Sequence, residues 1–532
     1  MSEPSPADRP GFFGRWGVWL GLLAAAIVLA LDAPEGMTPA AQKTLAVTVL
    51  TGVLWFTGAV PLGAASLVPL VAFPLCGVVE VGAASEAYIN KYVFLYLGGF
   101  LLALGLERWN VHERLALHTL RFTGASPRRV VAGFMLAAAG LSMWISNTAA
   151  TIMLLPVAVA MLDALGKKID GGAADGVTAE GGAGEAAAEE AARQTARQHK
   201  LTVALLLGLA WAASLGGVAT PIGTPTNVAF LGVWEQAFPD ASLDRFSFDR
   251  WLLAFAPVSA AMLLLAWGLL TWNLRPAPGA ATVGRSFFAG RLNALGRLST
   301  PEKRMLAVFG LAAALWVIPG PLFAALKTTD GGAEWIAAVD ARGLTPVVQP
   351  DDSTVAIACA LLAFALPAGD GRGSRLINWH TAERLPWDIL LLFGAGFALA
   401  LAFKETGLSL WVGERLGDAV RGQPEWVLVG AVCLVMTFLT ECTSNVATCS
   451  IVLPVLAGVA VEIGVEPSLI MLPAAASASF AFMLPVATPP NAIVFGSGRL
   501  TMGEMARKGF VLNLVGAAAI TALTLFWVRR IL

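Results

Sequence analysis

Long apolar segments with almost no charged residue recur along the whole chain, and this pattern constrains the fold more than any other feature. A transmembrane helix needs about 20 consecutive, mainly apolar residues, and several of the segments reach that length. The sequence lacks the short segments of alternating polarity that a transmembrane β-barrel requires. We therefore predict an all-α, polytopic membrane protein with roughly ten to twelve membrane elements. The apolar segments are Trp16–Leu31, Lys43–Val79, Leu201–Val233, Leu252–Trp272, Thr354–Pro367, Asp388–Phe403, Val427–Ala460 and Phe510–Val528.

The composition agrees with a membrane protein and excludes several other classes. Of 532 residues, 57% are hydrophobic and 13% are charged, whereas soluble domains carry roughly 25% charged residues. No basic tract with interleaved aromatic residues predicts contact with nucleic acid. The five cysteines lie in apolar segments and form no metal-ligand spacing with histidine. We expect a lipid membrane as partner, and neither nucleic acid nor an organic cofactor.

Charges in the connections predict the orientation, because basic residues in short loops mark the cytoplasmic side. The connections Glu107–Arg129, Arg275–Arg304 and Arg499–Lys508 are basic, whereas Glu235–Arg250 and Lys327–Asp352 are acidic. The first apolar segment lacks a small-residue cleavage site, so we expect a retained helix rather than a signal peptide. The prediction is a multi-pass protein of the plasma (inner) membrane with a cytoplasmic N-terminus and an external C-terminus.

Two stretches of the chain repeat each other. "ISNTAATIMLLP" (Ile145–Pro156) resembles "TSNVATCSIVLP" (Thr443–Pro454), with an offset of 444 − 146 = 298 that places Ser142 opposite Thr440. Downstream, "GGVATPIGTPTN" resembles "LPVATPPN", which pairs Val218-Ala219-Thr220-Pro221 with Val486-Ala487-Thr488-Pro489 and leaves four extra residues before Asn227. Shared motifs in a shared order indicate one architecture that is present twice.

The two copies are expected to enter the membrane from opposite sides, since Glu80–Lys91 precedes the first on the outside and Gly369–Pro386 precedes the second on the inside. This is the inverted-repeat plan of secondary transporters. We expect N-terminal scaffold helices at 1–91 and a first repeat at 92–272. The first repeat has a hairpin at 130–165, a disordered cytoplasmic linker at 166–200, in which a short helix at Gly184–His199 remains open, and a broken helix at 201–233. A cytoplasmic linker and scaffold helices follow at 273–386, and then a second repeat at 387–532 with a hairpin at 426–461, a broken helix at 468–498 and a last helix at 510–528.

The repeated residues predict where ions bind. Proline within an apolar span breaks the helix, and irregular backbone at membrane depth must be buried or line a cavity. Ser146-Asn147 and Ser444-Asn445 are residue types that favour helix N-caps and tight turns, so we expect them at the tips of two re-entrant hairpins. Serine and threonine in membrane helices also serve packing alone, but two copies, each beside a broken helix, favour a site.

Na⁺ binds hydroxyl and amide oxygens, and also the carbonyl oxygens that a broken helix leaves without hydrogen-bond partners. Neither Ser-Asn stretch and neither VATP stretch contains lysine or arginine. A bound anion would therefore need Na⁺, hydroxyl groups and helix N-termini to balance its charge.

These residues resemble the divalent anion/sodium symporter family, which includes sodium-coupled dicarboxylate and citrate cotransporters. "SASFAFMLPVATPPNAIVF" (Ser477–Phe495) resembles the family's signature segment. "ECTSNVAT", "LLLFGAGFALA" and "LERWNVHERLAL" look like its animal-type branch. The resemblance implies an elevator-type transporter with about 11 transmembrane helices, built as an inverted repeat with two re-entrant hairpins. It also implies a homodimer with a fixed scaffold domain and a moving transport domain.

The resemblance also implies roles for individual residues. Many relatives have Ser-Asn-Thr in both copies, but here Val446 follows the second Ser-Asn, so one hydroxyl is missing. One sodium site would use Ser142, Ser146, Asn147 and the backbone at Ala219, and the other Thr440, Ser444, Asn445 and the backbone at Ala487. The substrate carboxylates would contact Asn147, Thr148, Thr220, Asn445, Thr488 and Pro489.

The resulting hypothesis is sodium-coupled symport of C4-dicarboxylates such as succinate, malate or fumarate. Sodium-independent dicarboxylate exchange remains open, as do citrate and sulfate as substrates. A membrane-embedded enzyme would need a nucleophile with a base, or a metal cluster, and Ser146 has no evident His or Lys partner, so we predict no enzyme. Glu441 is the one acid beside a Ser-Asn motif. It predicts either proton coupling or, as the favoured interpretation, a carboxylate that faces a water-filled vestibule.

Overall fold

The computed structural model describes residues 12–123, 126–174, 183–240, 243–274, 288–348 and 350–532. Within these ranges every regular element is helical, apart from one isolated bridge between Pro367 and Arg375. By length and composition, eight helices of the described part can cross a membrane, and five shorter helices are also apolar. The predicted all-α, polytopic membrane fold is confirmed.

The N-terminal part is a run of helices whose ends follow local chemistry. Thr38 caps one helix through its side chain, which accepts a hydrogen bond from the Ala41 N–H, and Pro39 occupies the first turn. The same helix ends at Gly58, whose φ of 59° is left-handed. The helices are Phe12–Ala30, Pro39–Thr57, Leu62–Ala65, Val68–Leu75, Val81–Tyr88, Lys91–Arg108 and Val111–Thr123.

The first repeat contains a pair of helices joined by a short turn, which we call the first hairpin. Its arms are Pro127–Ser142 and Asn147–Ala174. The first interrupted helix follows, with halves Ala183–Gly217 and Pro225–Ala237. A 3₁₀ turn, Leu243–Phe246, leads into the helix Phe248–Thr271.

The linker predicted to be disordered at 166–200 is largely helical. The second arm of the first hairpin continues to Ala174, and the next helix already begins at Ala183; residues 175–182 lie outside the described part. The disorder was predicted from polarity and was wrong for the described residues, whereas the short helix considered at Gly184–His199 lies within the helix Ala183–Gly217. Alanine, glutamate, glutamine and arginine, which make up all of residues 183–198 except Gly184 and Thr195, are strong helix formers even where no apolar core is available.

The middle of the chain connects the two repeats through helices of varied length. Ser299 and Glu302 form a reciprocal capping box at the start of one of them. The helices are 288–294, Thr300–Val317, Pro319–Lys327, Asp330–Ala341, Thr345–Val348, Asp352–Ala365, Trp379–Ala382, Trp387–Thr406 and Leu408–Val420.

The second repeat has the same order of elements as the first. The second hairpin has the arms Glu425–Thr440 and Asn445–Glu462. The second interrupted helix has halves Pro467–Ala478 and Pro489–Phe495, with a 3₁₀ turn at Pro485–Ala487 between them. The chain continues as Met502–Leu523, a π-helical turn at Thr524–Val528 and Arg529–Ile531.

Each hairpin contacts both interrupted helices. The first arm of each hairpin packs on the first half of the interrupted helix in its own repeat. The second arm packs on the second half of the interrupted helix in the other repeat, so that 489–495 lies on 147–174 and 225–237 lies on 445–462. This exchange brings residues from both repeats together in one buried core.

Candidate cation and anion site

The tip of the first hairpin holds a close pair of oxygen atoms. The Ser142 hydroxyl donates to Oδ1 of Asn147 at 2.5 Å, and Ser142 is fully buried whereas Asn147 is half-buried. Oγ of Ser146 accepts from the N–H of Ala149 at 3.1 Å and thereby caps the second arm. The prediction that Ser-Asn marks a helix start is confirmed by this geometry, since the second arm begins at Asn147.

The break in the first interrupted helix lies directly against this tip. A Cβ atom added to Gly217 would stand 2.7 Å from Oδ1 of Asn147 and 2.8 Å from the carbonyl oxygen of Gly223. Only glycine therefore permits the observed approach. The buried Thr220 hydroxyl donates to the carbonyl oxygen of Met143 at 2.5 Å, which ties the break to the turn of the hairpin.

Asn227 satisfies the carbonyl groups that the first break leaves without helical partners. Its Nδ2 donates to the carbonyl oxygen of Thr220 at 2.7 Å, and to those of Gly217 and Val218 at 3.3 Å each. Its Oδ1 is buried and has no hydrogen-bond partner in the described structure. An unpaired buried acceptor costs about 1–3 kcal/mol, so this atom is available to a cation or a water molecule.

The tip of the second hairpin has the same oxygen pair. The Thr440 hydroxyl lies 2.5 Å from Oδ1 of Asn445 and 2.9 Å from the carbonyl oxygen of Ala478, the last residue in the first half of the second interrupted helix. Thr440 is fully buried and Asn445 is half-buried. Ser444 is exposed, and its side chain makes no capping bond, unlike Ser146. The 298-residue offset between the hairpins is therefore confirmed by equivalent contacts.

Asn491 has the same role in the second break that Asn227 has in the first. Its Nδ2 donates to the carbonyl oxygens of Ala481 at 3.0 Å and Leu484 at 3.1 Å, ten and seven residues back along the chain. Its Oδ1 is likewise buried and without a partner in the described part. Thr488 caps the helix that restarts there, because its Oγ1 accepts from the N–H of Asn491.

The pairing of Val218–Pro221 with Val486–Pro489 was wrong. In the first repeat the helix restarts after Thr224, with Pro225 in its first turn, and Thr224 has φ −136° and ψ 142°. Thr488 has φ −141° and ψ 148° before Pro489. The counterpart of Thr488 is therefore Thr224, and not Thr220. The error arose because the dipeptide Thr-Pro occurs twice in the first stretch, and only the position of the asparagine distinguishes the two.

The other predicted site residues vary in exposure. Thr148 is half-buried and Pro489 is exposed. Ala219, Thr220, Ala487 and Thr488 are all at most 6% exposed. Val446, which replaces a threonine of the first copy, is buried at 7% exposure.

Glu441 does not face a vestibule, because it is only 3% exposed. Its carboxylate accepts hydrogen bonds from the N–H groups of Phe482, Met483 and Leu484 in the second break, and from Nδ2 of Asn513. The favoured prediction failed because the backbone of a broken helix offers unpaired N–H donors, which sequence patterns do not reveal.

Three asparagines of this core escaped the sequence-based prediction. Asn227 and Asn491 end the two stretches that were compared, in the shared pattern Thr-Pro-x-Asn, so their shared position was a usable signal. Asn513 lies in the apolar last helix and is fully buried. A buried amide in such a helix is a signal for a polar partner, but not for its identity.

The charge distribution favours an anion that arrives together with cations. The two tips and the two breaks contain no lysine or arginine. The helices that begin at Asn147, Pro225 and Asn445 direct their N-terminal N–H groups toward this region. Helix N-termini and cations together can balance a carboxylate.

Comparison with known proteins identifies the family. The sodium:sulfate symporter transmembrane region matches residues 15–532. The chain belongs to this family. The resemblance to divalent anion/sodium symporters that the motifs indicated is therefore confirmed.

Similar proteins of the family include two from staphylococci. The sodium-dependent dicarboxylate transporter SdcS of Staphylococcus saprophyticus is 34% identical over 522 residues, which cover 97% of this chain and 92% of the relative. SdcS of Staphylococcus aureus strain bovine RF122 is 34% identical over 521 residues, with 97% and 91% coverage.

One solved structure is similar in fold. It is MtrF of Neisseria gonorrhoeae, described as illuminating a class of antimetabolite efflux pumps. The TM-score is 0.51 at 13% sequence identity, over 97% of this chain and 94% of MtrF. At this identity the likeness concerns the fold alone.

Proposed function

We propose that this protein is a secondary transporter that couples the movement of Na⁺ to the uptake of a C4-dicarboxylate such as succinate, malate or fumarate. One observation carries the proposal. A hydroxyl oxygen and an asparagine oxygen lie 2.5 Å apart at each of two hairpin tips, beside two interrupted helices. Relatives over nearly the full length of this chain are named sodium-dependent dicarboxylate transporters.

The oxygen pairs explain how sodium would be held. Hard cations bind hydroxyl, amide and carbonyl oxygens, and the broken helices of transporters commonly supply such groups. The first cation would be held by Ser142, Ser146, Asn147 and backbone at Ala219, close to Gly217. The second would be held by Thr440, Ser444, Asn445 and backbone at Ala487. Each cation would displace the hydroxyl hydrogen from its present bond to asparagine, since both oxygens would then direct lone pairs at the ion.

The cations in turn make room for the substrate. Without them, a dicarboxylate would enter a poorly hydrated cavity without an opposite charge, which is unfavourable. We place its carboxylates against Asn147, Thr148, Asn445, Thr488 and Pro489. Thr224 joins this set as the structural counterpart of Thr488, and Thr220 remains in it as a residue of the first break.

Uptake of labelled succinate into proteoliposomes tests the proposal. We expect uptake with Na⁺ outside, and loss of uptake when choline or K⁺ replaces it. Undiminished uptake in choline, together with a requirement for dicarboxylate inside, would instead identify a sodium-independent exchanger. Unlabelled sulfate and citrate, added as competitors, test the substrate class, since the family description itself names sulfate.

We further propose an elevator mechanism, an inverted repeat, a homodimer, a cytoplasmic N-terminus and an external C-terminus in the plasma membrane. The contact between Gly52 and Ile451 offers a test of motion, because a Cβ added at Gly52 would lie 3.2 Å from Cδ1 of Ile451. In an elevator, the helix Pro39–Thr57 stays fixed while the second hairpin moves.

The double variant Gly52→Cys/Ile451→Cys should lose uptake upon oxidation and regain it upon reduction. The two single variants, treated in the same way, are the matched controls. Full uptake by a quantitatively cross-linked double variant would exclude motion at this contact. The molar mass of the purified protein in detergent tests the dimer.

A further inference from the structure

Glu441 carries a buried negative charge without a basic partner in the described structure. Oε1 accepts from the N–H groups of Phe482 at 2.8 Å and Met483 at 2.9 Å, and from Nδ2 of Asn513 at 2.7 Å. Oε2 accepts from the N–H of Leu484 at 3.0 Å. All four partners are donors, which is the arrangement that suits an acceptor-only carboxylate.

These bonds fix the second break from one side while Asn491 fixes it from the other. The N–H groups of residues 482–484 point at Glu441, and the carbonyl groups of Ala481 and Leu484 point at Nδ2 of Asn491. The neighbouring residue Thr440 donates to the carbonyl oxygen of Ala478 at the start of the same break. The carboxylate therefore lies beside the second cation site and positions its backbone.

The first cation site has no such charge. The offset of 298 residues places Met143 at the position of Glu441. There the tie between hairpin and break is neutral, since the Thr220 hydroxyl donates to the Met143 carbonyl oxygen. Neither residues 142–148 nor residues 216–227 include a charged side chain. The two sites thus use the same ligand types but differ by one formal charge.

We propose that Glu441 makes the second cation site the tighter of the two, so that this site fills at a lower Na⁺ concentration than the first. Within one site, a fixed negative charge strengthens the binding of a cation, and burial protects that attraction from screening by salt. Glu441 is a positioning residue here, because it acts through the break and through its field. The inference rests on the proposed sodium coupling and adds which of the two cation sites fills first.

Sodium binding is measured without any dicarboxylate. The purified protein in detergent is titrated with NaCl, and the rise in its melting temperature is recorded. Choline chloride keeps the ionic strength constant. Glu441→Gln removes the charge and keeps the shape and one acceptor oxygen. We expect its half-saturating Na⁺ concentration to rise about tenfold. An unchanged sodium titration in a folded Glu441→Gln variant would overturn the proposal.

A second variant separates the charge from a purely structural role. Asn513→Ala removes one donor and leaves the carboxylate less neutralised, so Na⁺ binding should stay unchanged or become a few-fold tighter. A merely structural clamp predicts weaker binding in both variants. Weaker Na⁺ binding in Asn513→Ala would therefore contradict the proposal, even if Glu441→Gln did not fold.

Two variants that each lack one cation site show at which site Glu441→Gln weakens sodium binding. In Asn147→Ala, which retains only the second site, Glu441→Gln should weaken the remaining sodium transition. In Asn445→Ala, which retains only the first, it should change nothing further. Equal effects in both backgrounds would overturn the assignment.

The sodium titration tests the role of Glu441 separately from the proposed substrate, because it contains no dicarboxylate. A wild-type protein that shows the sodium-dependent rise but transports no succinate would refute the proposed substrate and leave the role of Glu441 intact. A wild-type protein without any sodium-dependent rise would refute sodium coupling, and with it this inference.

Discussion

The two hairpins with their interrupted helices form two versions of one unit. Comparing them shows which contacts the two versions share and which contacts differ. Both have a hydroxyl oxygen 2.5 Å from an asparagine oxygen, and both have an asparagine that binds the carbonyl groups of the break. They differ in the tie between hairpin and break, which is neutral at Thr220 and charged at Glu441. The geometry of the oxygen pair is retained while the contacts around it vary.

The helix restart shows the same division. Thr224 and Thr488 have nearly the same backbone angles, and each precedes a proline. The breaks before them differ in length, since they comprise residues 218–224 and 479–488. The restart thus keeps its geometry although the path that leads to it has changed.

The largest expected effect comes from the asparagines that the two units share. Asn147→Ala and Asn445→Ala should each reduce sodium-coupled succinate uptake about a hundredfold, because a contact to a charged ligand is worth up to about 3 kcal/mol. Asn293→Ala, at an exposed position, is the matched control. Near-normal uptake in either test variant, measured in proteoliposomes at equal protein content, would remove that hairpin from the site.

The next effect concerns the close contact that only the first unit makes through Gly217. Gly217→Ala places a methyl group against Oδ1 of Asn147, and overpacking of this kind costs about 1–3 kcal/mol. We expect a tenfold or greater loss of sodium affinity, by a factor of about 10 for each 1.4 kcal/mol.

Gly140→Ala is the control for that variant, because it lies in the first arm of the same hairpin and an added Cβ would meet nothing within 4 Å. Uptake and sodium dependence should stay at wild-type levels there. If Gly217→Ala and Gly140→Ala have the same sodium affinity and uptake, the close contact between the break and the hairpin tip does not contribute to sodium binding.

A smaller effect tests which threonines correspond. Thr224→Val and Thr488→Val should both raise the KM for succinate by about fivefold. Thr224 loses the bond to the Ser479 hydroxyl and Thr488 loses the cap on the N–H of Asn491, and each bond is worth about 1 kcal/mol. Thr220→Val should raise the half-saturating Na⁺ concentration as well as the KM for succinate, because it also loses the bond to Met143. If Thr220→Val matched Thr488→Val in both parameters, the original pairing of the VATP stretches would be right for function.

The smallest effect comes from the one residue of the Ser-Asn motifs that differs in polarity. Val446→Thr restores the hydroxyl of the first copy at a buried position. We expect an altered ratio of succinate to citrate transport, by about two- to threefold, a change of well under 1 kcal/mol, with an unchanged sodium dependence. The reverse pattern, measured by competition, would mean that this side chain faces a cation.

Much of this architecture is encoded in local sequence signals. The spans follow from uncharged segments, and the helix starts at Asn147 and Asn445 follow from Ser-Asn, a pair of residue types that favours helix starts. Ser146 caps its helix through the N–H of Ala149, whereas Ser444 makes no capping bond. The breaks follow from Pro225 and Pro489, which occupy the first turns of the restarted helices. These features depend on neighbours within a few residues.

Features that depend on distant residues were not predictable in this way. The carboxylate of Glu441 binds N–H groups about 40 residues away, and Asn513 reaches it from the last helix. The pattern around Glu441 gives no information about these partners. In the linker at 166–200, the sequence left open only a short helix at Gly184–His199, whereas the helix observed there extends from Ala183 to Gly217. Strong helix formers make up most of residues 183–200, although the stretch is polar.

The exchange of half-helices between the repeats has a thermodynamic consequence. The helix 489–495 lies on the first hairpin and 225–237 on the second. Arg245 adds a link between the half-helices Pro225–Ala237 and Pro467–Ala478, since its guanidinium stacks on Trp234 and donates to Ser468 at 2.7 Å. Ordering one break should therefore shift a wall of the other, so we expect the two proposed cations to bind cooperatively. The rate of transport should accordingly depend sigmoidally on sodium concentration. In a variant that lacks either cation site, the dependence should become hyperbolic.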